Sequence, residues 1–422
     1  MIRLIETRNF RSLKSISQPL DNFHVLIGAN ASGKTTFLDT ISFVADLVKN
    51  GVDYAITQRT RNYNDLTFAG NGGDIEFALE LEVPSELLQK IPYASMTVIR
   101  YEVRIGLSEE SKEHSIKEER TLLMNSKKNG RNDVLKLNFP DYSMDTIKIV
   151  GLSQKKGSYK LTIKKQEGGN DNFYPETRKD SSGGWLPSFK LGIKKSALGN
   201  LPADEVRFPV SSWLKDILAS GVQLFMLDSL MLRRASPPGQ GRNFKTDGSN
   251  LPWVIEDLKK NDPESYESWL AHIRTALPDV DEVLTVERED DRHRYLKVRY
   301  SSGIEAPAWL VSDGTLRMFA LTLPAYLSDF EGIYLIEEPE NGIHPRAIET
   351  VFQSLSSVYH AQILLASHSP VILSMVDLKD VLCFGKTQEG VTDIVRGIDH
   401  PRLRGWQGET NLSLLFAGGV LG

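Results

Sequence analysis

Gly28-Ala29-Asn30-Ala31-Ser32-Gly33-Lys34-Thr35, with Thr36 directly behind it, fits the pattern G-x-x-x-x-G-K-[ST] at every fixed position. The apolar run Phe23 to Ile27 before it predicts a buried strand. Behind it, Phe37, Leu38, Ile41, Val44, Ala45 and Val48 recur at helical spacing. Four fixed positions arise by accident in roughly one or two chains in a hundred of this length, as a glycine turn with a solvated lysine. A strand, a glycine loop and a helix N-terminus in that order are what a phosphate needs, because backbone N–H groups converge on its oxygens. The aligned peptide dipoles of the helix then favour its negative charge. On this reading Lys34 reaches the β- and γ-phosphates and the Thr35 hydroxyl sits on Mg²⁺. The stretch predicts binding of a nucleoside triphosphate.

The 422 residues are enough for two or three domains, or for one large domain with an insertion. Apolar content of 40% and charged content of 25% are those of an ordinary globular chain. One cysteine, Cys383, excludes an internal disulfide and a cysteine-cluster metal site, and points to a reducing cytoplasm. The eight histidines form no H-x-x-x-H or H-x-H pair. Met1 to Glu6 reads as a strand rather than a signal peptide, and no run approaches a membrane span of roughly 18 apolar residues. The net charge of −5 conceals an asymmetry. Residues 121–245 carry 21 Lys+Arg against 11 Asp+Glu, a net of +10, which leaves −15 for the rest. Such a segment is a solvated surface or a face for a polyanion, either nucleic acid or an acidic partner.

Period-two alternation at 74–83, 97–107 and 159–164 predicts a half-exposed antiparallel sheet. Residues 166–184 are polar and glycine-rich and read as a loop. A helical pattern covers 211–231. The run from Arg233 and Arg234 through Pro237 and Pro238 to Arg242 reads as irregular, with no acidic residue between Ser229 and Lys245. Helical spacing returns at 250–277, broken at Asp262-Pro263, and strands follow near 282–288 and 294–300. From 308 to 376 helices (314–328, 345–359) alternate with apolar strands (333–336, 362–366), the rhythm of a largely parallel sheet. No internal repeat is visible.

That C-terminal stretch carries three more motifs. Ile333-Tyr334-Leu335-Ile336-Glu337-Glu338-Pro339 is an apolar strand ending in two carboxylates. Phosphate-loop enzymes need one acid for Mg²⁺ and another group to orient or deprotonate the attacking water. Ser312-Asp313-Gly314-Thr315 opens an apolar helix that Ser312 is placed to cap. Ser367-His368-Ser369-Pro370 puts a histidine at the end of a second apolar strand.

The order of phosphate loop, S-D-G-T, strand with E-E-P-E-N and strand with S-H-S-P resembles the ATPase heads of the ABC superfamily. The branch it resembles is that of RecF, the structural-maintenance-of-chromosomes (SMC) proteins and the overcoming-lysogenisation-defect (OLD) ATPases. Asn9-Phe10-Arg11-Ser12 is similar to the N-F-[KR]-S segment of that branch. The matches cover about 1–50 and 305–375. The resemblance implies an α/β ABC-type ATPase head, a mixed sheet plus an antiparallel β lobe, interrupted by a long α+β insertion. Its expected division is 1–84 for the N-terminal part of the head, 85–300 for the insertion and 301–422 for the C-terminal part.

The resemblance also implies roles. Gly28, Asn30, Ser32, Gly33, Lys34, Thr35, Thr36 and Arg11 would bind ATP, and Glu337 with Thr35 would hold Mg²⁺. Glu338 would be the catalytic carboxylate, and His368 would sense the γ-phosphate. Ser312 and Gly314 would reach the nucleotide on the opposite protomer of an ATP-sandwiched homodimer, which leaves room for a higher oligomer. Asn341 would lie at the dimer interface, and Gln58 and Gln154 both compete for the lobe-coupling glutamine. The metal carboxylate is usually Asp in that family, and Glu337 replaces it here. No heptad pattern predicts coiled-coil arms, and no D-x-D pair follows His368 to build a nuclease centre. The chain therefore resembles stand-alone OLD-like ATPase subunits of bacterial antiphage systems, whose nuclease or toxin effector is a separate protein. A RecF-like DNA repair or recombination ATPase is the alternative. A transporter ATPase subunit fits poorly, since S-D-G-T departs from L-S-G-G-Q.

Overall fold

The structure is a computed structural model that describes residues 1–93, 95–126, 138–141, 149–151, 158–177, 187–240, 244–327 and 330–403. They form two compact units, one of Met1–Val222 with the described residues from Leu378 onward, and one of Gln223–Asp377.

The first unit runs β1 (Ile2–Phe10), β2 (Leu13–Pro19), β3 (Phe23–Gly28), α1 (Lys34–Asn50), α2 (Val52–Thr57), β4 (Ile75–Glu82), α3 (Ser85–Leu88), β5 (Val98–Leu107), β6 (His114–Met124), β7 (Tyr159–Gln166), β8 (Asp171–Phe173), β9 (Ser188–Phe189) and α4 (Pro209–Ser220). The second runs β10 (Val222–Phe225, starting at the boundary), α5 (Ser229–Arg233), α6 (Leu251–Asn261), α7 (Pro263–Ala276), β11 (Val280–Glu287), β12 (Arg294–Tyr300), β13 (Glu305–Pro307), α8 (Asp313–Thr322), β14 (Ile333–Glu337), α9 (Pro345–Ser356), β15 (Gln362–Ala366) and α10 (Pro370–Met375). The chain then returns to the first unit as β16 (Val381–Lys386) and β17 (Thr392–Arg396).

In the first unit an antiparallel sheet of order β2-β1-β4-β5-β6-β7-β8-β9 lies on one side of α1. On the helix's other side, β16 pairs parallel with β3 and antiparallel with β17. Apolar residues on more than one face of α1 explain this placement. Phe43 packs edge-on to Phe10 at 5.6 Å between ring centroids and against Phe77 at 5.2 Å, while Phe37 meets Phe384 of β16 at 5.5 Å. All five rings are fully buried. A helix held from both sides keeps its N-terminus, and so the glycine loop, at a fixed height over β3.

The period-two strands form the antiparallel sheet as expected, but its polar face is not half-exposed. Glu6, Glu76, Glu80, Arg100 and Glu102 are all buried on it. Arg100 pairs with Glu6 at 2.6 Å, Glu80 at 2.9 Å and Glu102 at 2.7 Å, and Arg120 also reaches Glu102 at 2.6 Å. Backbone N–H groups of Ile149 and Val150 donate to Glu76, and that of Gly151 to Glu102. Charge is tolerated there because each carboxylate has a cation or backbone donors. Polar residues at alternate positions read as a wet face when neither sequence-distant partner is in view.

Other expectations need correction for similar reasons. The 166–184 stretch contains β8, because buried Asp171 accepts from Lys165 Nζ at 2.7 Å and Leu191 N at 2.7 Å. The helical reading of 211–231 splits at Gly221 into α4, β10 and the short α5, whose N-terminus Asp228 caps. Arg233 is the last residue of α5 and not part of an irregular loop.

In the second unit β14 and β15 pair parallel, Ile333 opposite Gln362 and Glu337 opposite Ala366, with β10 beside β14. α7 packs on α8 through Trp269, whose indole N–H donates to Thr322 at 2.9 Å while its ring meets Phe319 at 5.7 Å, and α9 joins them through Ser354 Oγ, which donates to Thr322 O at 2.7 Å. β11, β12 and β13 form a separate antiparallel sheet. The helix break at Asp262-Pro263 falls as expected, Asp262 capping α7 through Ser265 N.

Phe43→Ala should lower the unfolding free energy by about 3–5 kcal/mol, the cost of a large buried cavity. Urea titration checks this. A loss below about 1 kcal/mol would mean that the ring cluster does not anchor α1.

Candidate nucleotide site

The glycine loop spans the turn from β3 into α1. Gly28, Ala31 and Gly33 adopt φ of 151°, 63° and 109°. A Cβ on Gly28 would lie 2.2 Å from the Phe384 carbonyl oxygen, so the first glycine is required by close packing on β16. No side chain caps α1 at Gly33, where the chain enters the helix in left-handed backbone. Lys34 is buried and donates from Nζ to the loop's own carbonyls, Gly28 O at 2.8 Å and Ala29 O at 3.0 Å. Ser32 Oγ is buried with no hydrogen-bond partner among the described residues. Asn30 and Thr35 are exposed at the loop's rim, and Thr36 is half-buried. An uncapped helix end, an ammonium turned onto the loop and an unmatched hydroxyl together suit an anionic phosphate.

Arg11 is pinned behind this loop. Its guanidinium pairs with Asp39 of α1 at 3.0 Å, and its N–H donates to Leu66 O at 2.8 Å. Arg59 reaches Asp39 at 2.6 Å and Asp46 at 2.8 Å. Asn9, at φ 61°, spans Gly72 O, Asp74 O and Phe68 N with its amide. Gln58 follows α2 and is exposed, and Gln154 lies outside the described residues.

In the second unit, Glu337 closes β14 and Glu338 follows it in the left-handed region, at φ 46°. A glutamate stays there only where its neighbours over-determine it. Glu338 N donates to Ala366 O at 2.8 Å, and Asn341 holds the other end, through Nδ2 to Oε2 at 2.5 Å and N to O at 3.0 Å. Oε1 of Glu338 stands 3.9 Å from His368 Nε2. The structure thus brings Glu338, Asn341 and His368 together. Glu340 makes the junction, since its Oε1 accepts from Ser367 Oγ at 2.8 Å and His368 N at 2.9 Å. Its place in E-E-P-E-N gave it no assigned role; the spacing to Ser367 exists only once β14 and β15 are paired.

Ser312 caps α8, its Oγ accepting from Thr315 N at 3.2 Å. A Cβ on Gly314 would lie 2.6 Å from Gly342 O, so the helix start packs closely on the turn after Glu338. Asp313 pairs with Arg233 at 2.5 Å, and Arg233 also donates to Trp309 O at 3.1 Å. The Arg233 guanidinium beside Asp313 holds that carboxyl below its usual range, with Ser229 contributing. Arg233 therefore has a counter-charge, 80 residues away in sequence. Arg234 is exposed, and Arg242 lies outside the described residues.

The described residues hold no group of three or more His, Cys, Asp or Glu suited to a metal ion. Mg²⁺ is compatible with such a site, because it is bound through one or two carboxylates together with substrate phosphates. No described helix is long and apolar enough to cross a membrane.

Residues 1–200 match the family described as AAA ATPase domain, and residues 176–374 the family described as AAA domain, putative AbiEii toxin, Type IV TA system. The chain is similar in fold to an SMC head bound to the C-winged helix domain of ScpA, with a TM-score of 0.51 and 14% identity over 93% of this chain and 97% of that one. It is also similar to an SMC head with an extended coiled coil, bound to the C-terminal domain of ScpA derived from Pyrococcus furiosus. There the TM-score is 0.50, with 14% identity over 93% and 95% of the two chains. No curated protein sequence matches. Both matched families are ATPase domains, each over just under half of the chain, and the fold is that of an SMC head. Proteins of this class use ATP with a divalent metal, generally Mg²⁺.

Glu340→Ala should cost about 1–3 kcal/mol of stability, because a backbone N–H and a hydroxyl lose their acceptor. Chemical denaturation measures it. A change within about 0.5 kcal/mol would show that Glu340 does not hold the His368 turn.

Proposed function

We propose that this chain is an ATP-driven, dimerising switch that senses or binds nucleic acid and controls a separate nuclease or toxin effector in antiphage defence. The observation that carries the hydrolytic part is Glu338, a carboxylate held in left-handed backbone beside His368. Lys34 and the uncapped N–H groups of α1 hold the phosphates, assisted by Gly28, Asn30, Ser32, Gly33 and Thr36. Thr35 and Glu337 are the residues that would hold Mg²⁺, whose charge offsets that of the phosphate oxygens. Glu338 accepts a proton from the attacking water, and His368 contacts the γ-phosphate. Ser312 and Gly314 present the start of α8 to the nucleotide of a second protomer.

The defence reading is supported by the toxin–antitoxin wording of the matched family over 176–374. The effector reading is supported by the SMC heads of similar fold, both bound to a second protein. Support for nucleic acid is the positive charge of 121–245. One of those cations, Arg233, is matched by Asp313 from outside the segment.

Lys34→Ala should abolish binding of a fluorescent ATP analogue. Glu338→Gln should bind ATP and hydrolyse it on the order of 10²-fold or more slower, with ATP-bound dimers accumulating in light scattering. Normal turnover by Glu338→Gln alongside an inactive Glu337→Gln would reverse the two acidic roles.

Ser312→Arg introduces bulk and charge at the start of α8. ATP binding should persist while dimerisation and hydrolysis fail together. Full turnover by a strictly monomeric Ser312→Arg protein would refute the two-protomer site.

A further inference from the structure

Thr392 opens β17, opposite Lys386 of β16, and is fully buried. Its Oγ1 lies 2.9 Å from Ser32 O in the glycine loop and 2.9 Å from Ser12 Oγ, at the turn between β1 and β2. A threonine hydroxyl carries one proton. Both bonds run from that one proton, shared between the Ser32 carbonyl and the Ser12 hydroxyl oxygen, so the Thr392 hydroxyl ties the glycine loop to the β1–β2 turn. The backbone repeats the link, Thr392 N donating to Ser12 O at 3.0 Å. Gly33 is pressed against the same side chain: a Cβ there would fall 2.3 Å from Thr392 Oγ1, 2.8 Å from its Cγ2 and 3.0 Å from Ser12 Oγ. The second glycine of the loop is thus demanded by Thr392 from behind as well as by a phosphate from in front.

We propose that Thr392, together with Ser12, is a positioning residue of the phosphate loop. The pair fixes the Ser32 carbonyl, and through it the direction of the N–H groups that follow at Gly33 and the start of α1. Neither side chain touches the nucleotide; both act by holding the loop in its binding shape before ligand arrives. Preorganisation of this kind appears in affinity rather than in the chemical step. The proposal rests on the ATP reading of the loop.

The test compares Thr392→Val, which keeps the volume and loses the hydroxyl, with Thr392→Ser, which keeps the hydroxyl. Binding of a fluorescent ATP analogue, KM and kcat for ATP, and thermal unfolding are measured for both and for the parent protein. Thr392→Val should raise Kd and KM about tenfold, the effect of one lost buried hydrogen bond, with kcat within about twofold of the parent. Thr392→Ser should restore both constants. Parent-like binding by folded Thr392→Val overturns the proposal, as does a Thr392→Ser variant as weak as Thr392→Val, which would make packing the cause. If Thr392→Val does not fold, Ser12→Ala takes its place, and parent-like Kd and KM there overturn the proposal equally. A parent that binds no nucleotide overturns the ATP reading itself, whereas tight binding by parent and Thr392→Val alike defeats this inference alone.

Discussion

The two-sided burial of α1 is the constraint on which the glycine loop depends. A phosphate-binding turn has little to hold it by itself, since its N–H groups must stay unpaired and its glycines add conformational freedom. The loop is instead fixed by what surrounds it. Phe43 is locked into the ring cluster of the large sheet and Phe37 against β16. Arg11 and Arg59 both converge on Asp39 one turn further along. Helix position, and with it the orientation of the N-terminal dipole, is a property of the whole unit.

The second unit solves a comparable problem with hydrogen bonds. Glu338 sits in a conformation that costs of order 1–3 kcal/mol for such a residue, and the bonds from Asn341 and to Ala366 hold it there. Glu340 ties the same turn to His368. Strain at an acid and rigidity around it go together: a relaxed glutamate would turn its carboxylate elsewhere.

What could be read from sequence was whatever is local. The glycine loop between strand and helix, the cap at Ser312, the helix break at Asp262-Pro263 and the alternating strands are each contained in a few residues, and each stands where its pattern indicated. What escaped was pairing at a distance. Arg100 and Glu6 lie 94 residues apart, Arg233 and Asp313 lie 80 apart, and Thr392 and Ser32 lie 360 apart. A charged residue read alone looks solvated, so the buried ionic face of the large sheet looked wet and Arg233 looked uncommitted. Glu340 and Thr392 escaped for the same reason, since a side chain whose task is to hold another element has no local signature.

The return of the chain to its first unit has a consequence for how the protein comes into being. β3, which leads into the glycine loop, pairs with β16, so Val25 must wait for Val381 and Gly28 for Phe384. At a synthesis rate of ~5–20 residues per second, the intervening stretch of about 350 residues takes roughly 20–70 s. Throughout that interval the emerging chain carries a phosphate loop whose rear wall, Phe384 and Thr392, has not yet been made. The rear wall of the glycine loop is therefore completed only late in synthesis. A ribosome stalled anywhere before β16 would hold a chain that carries its most recognisable motif with neither Phe384 nor Thr392 behind it.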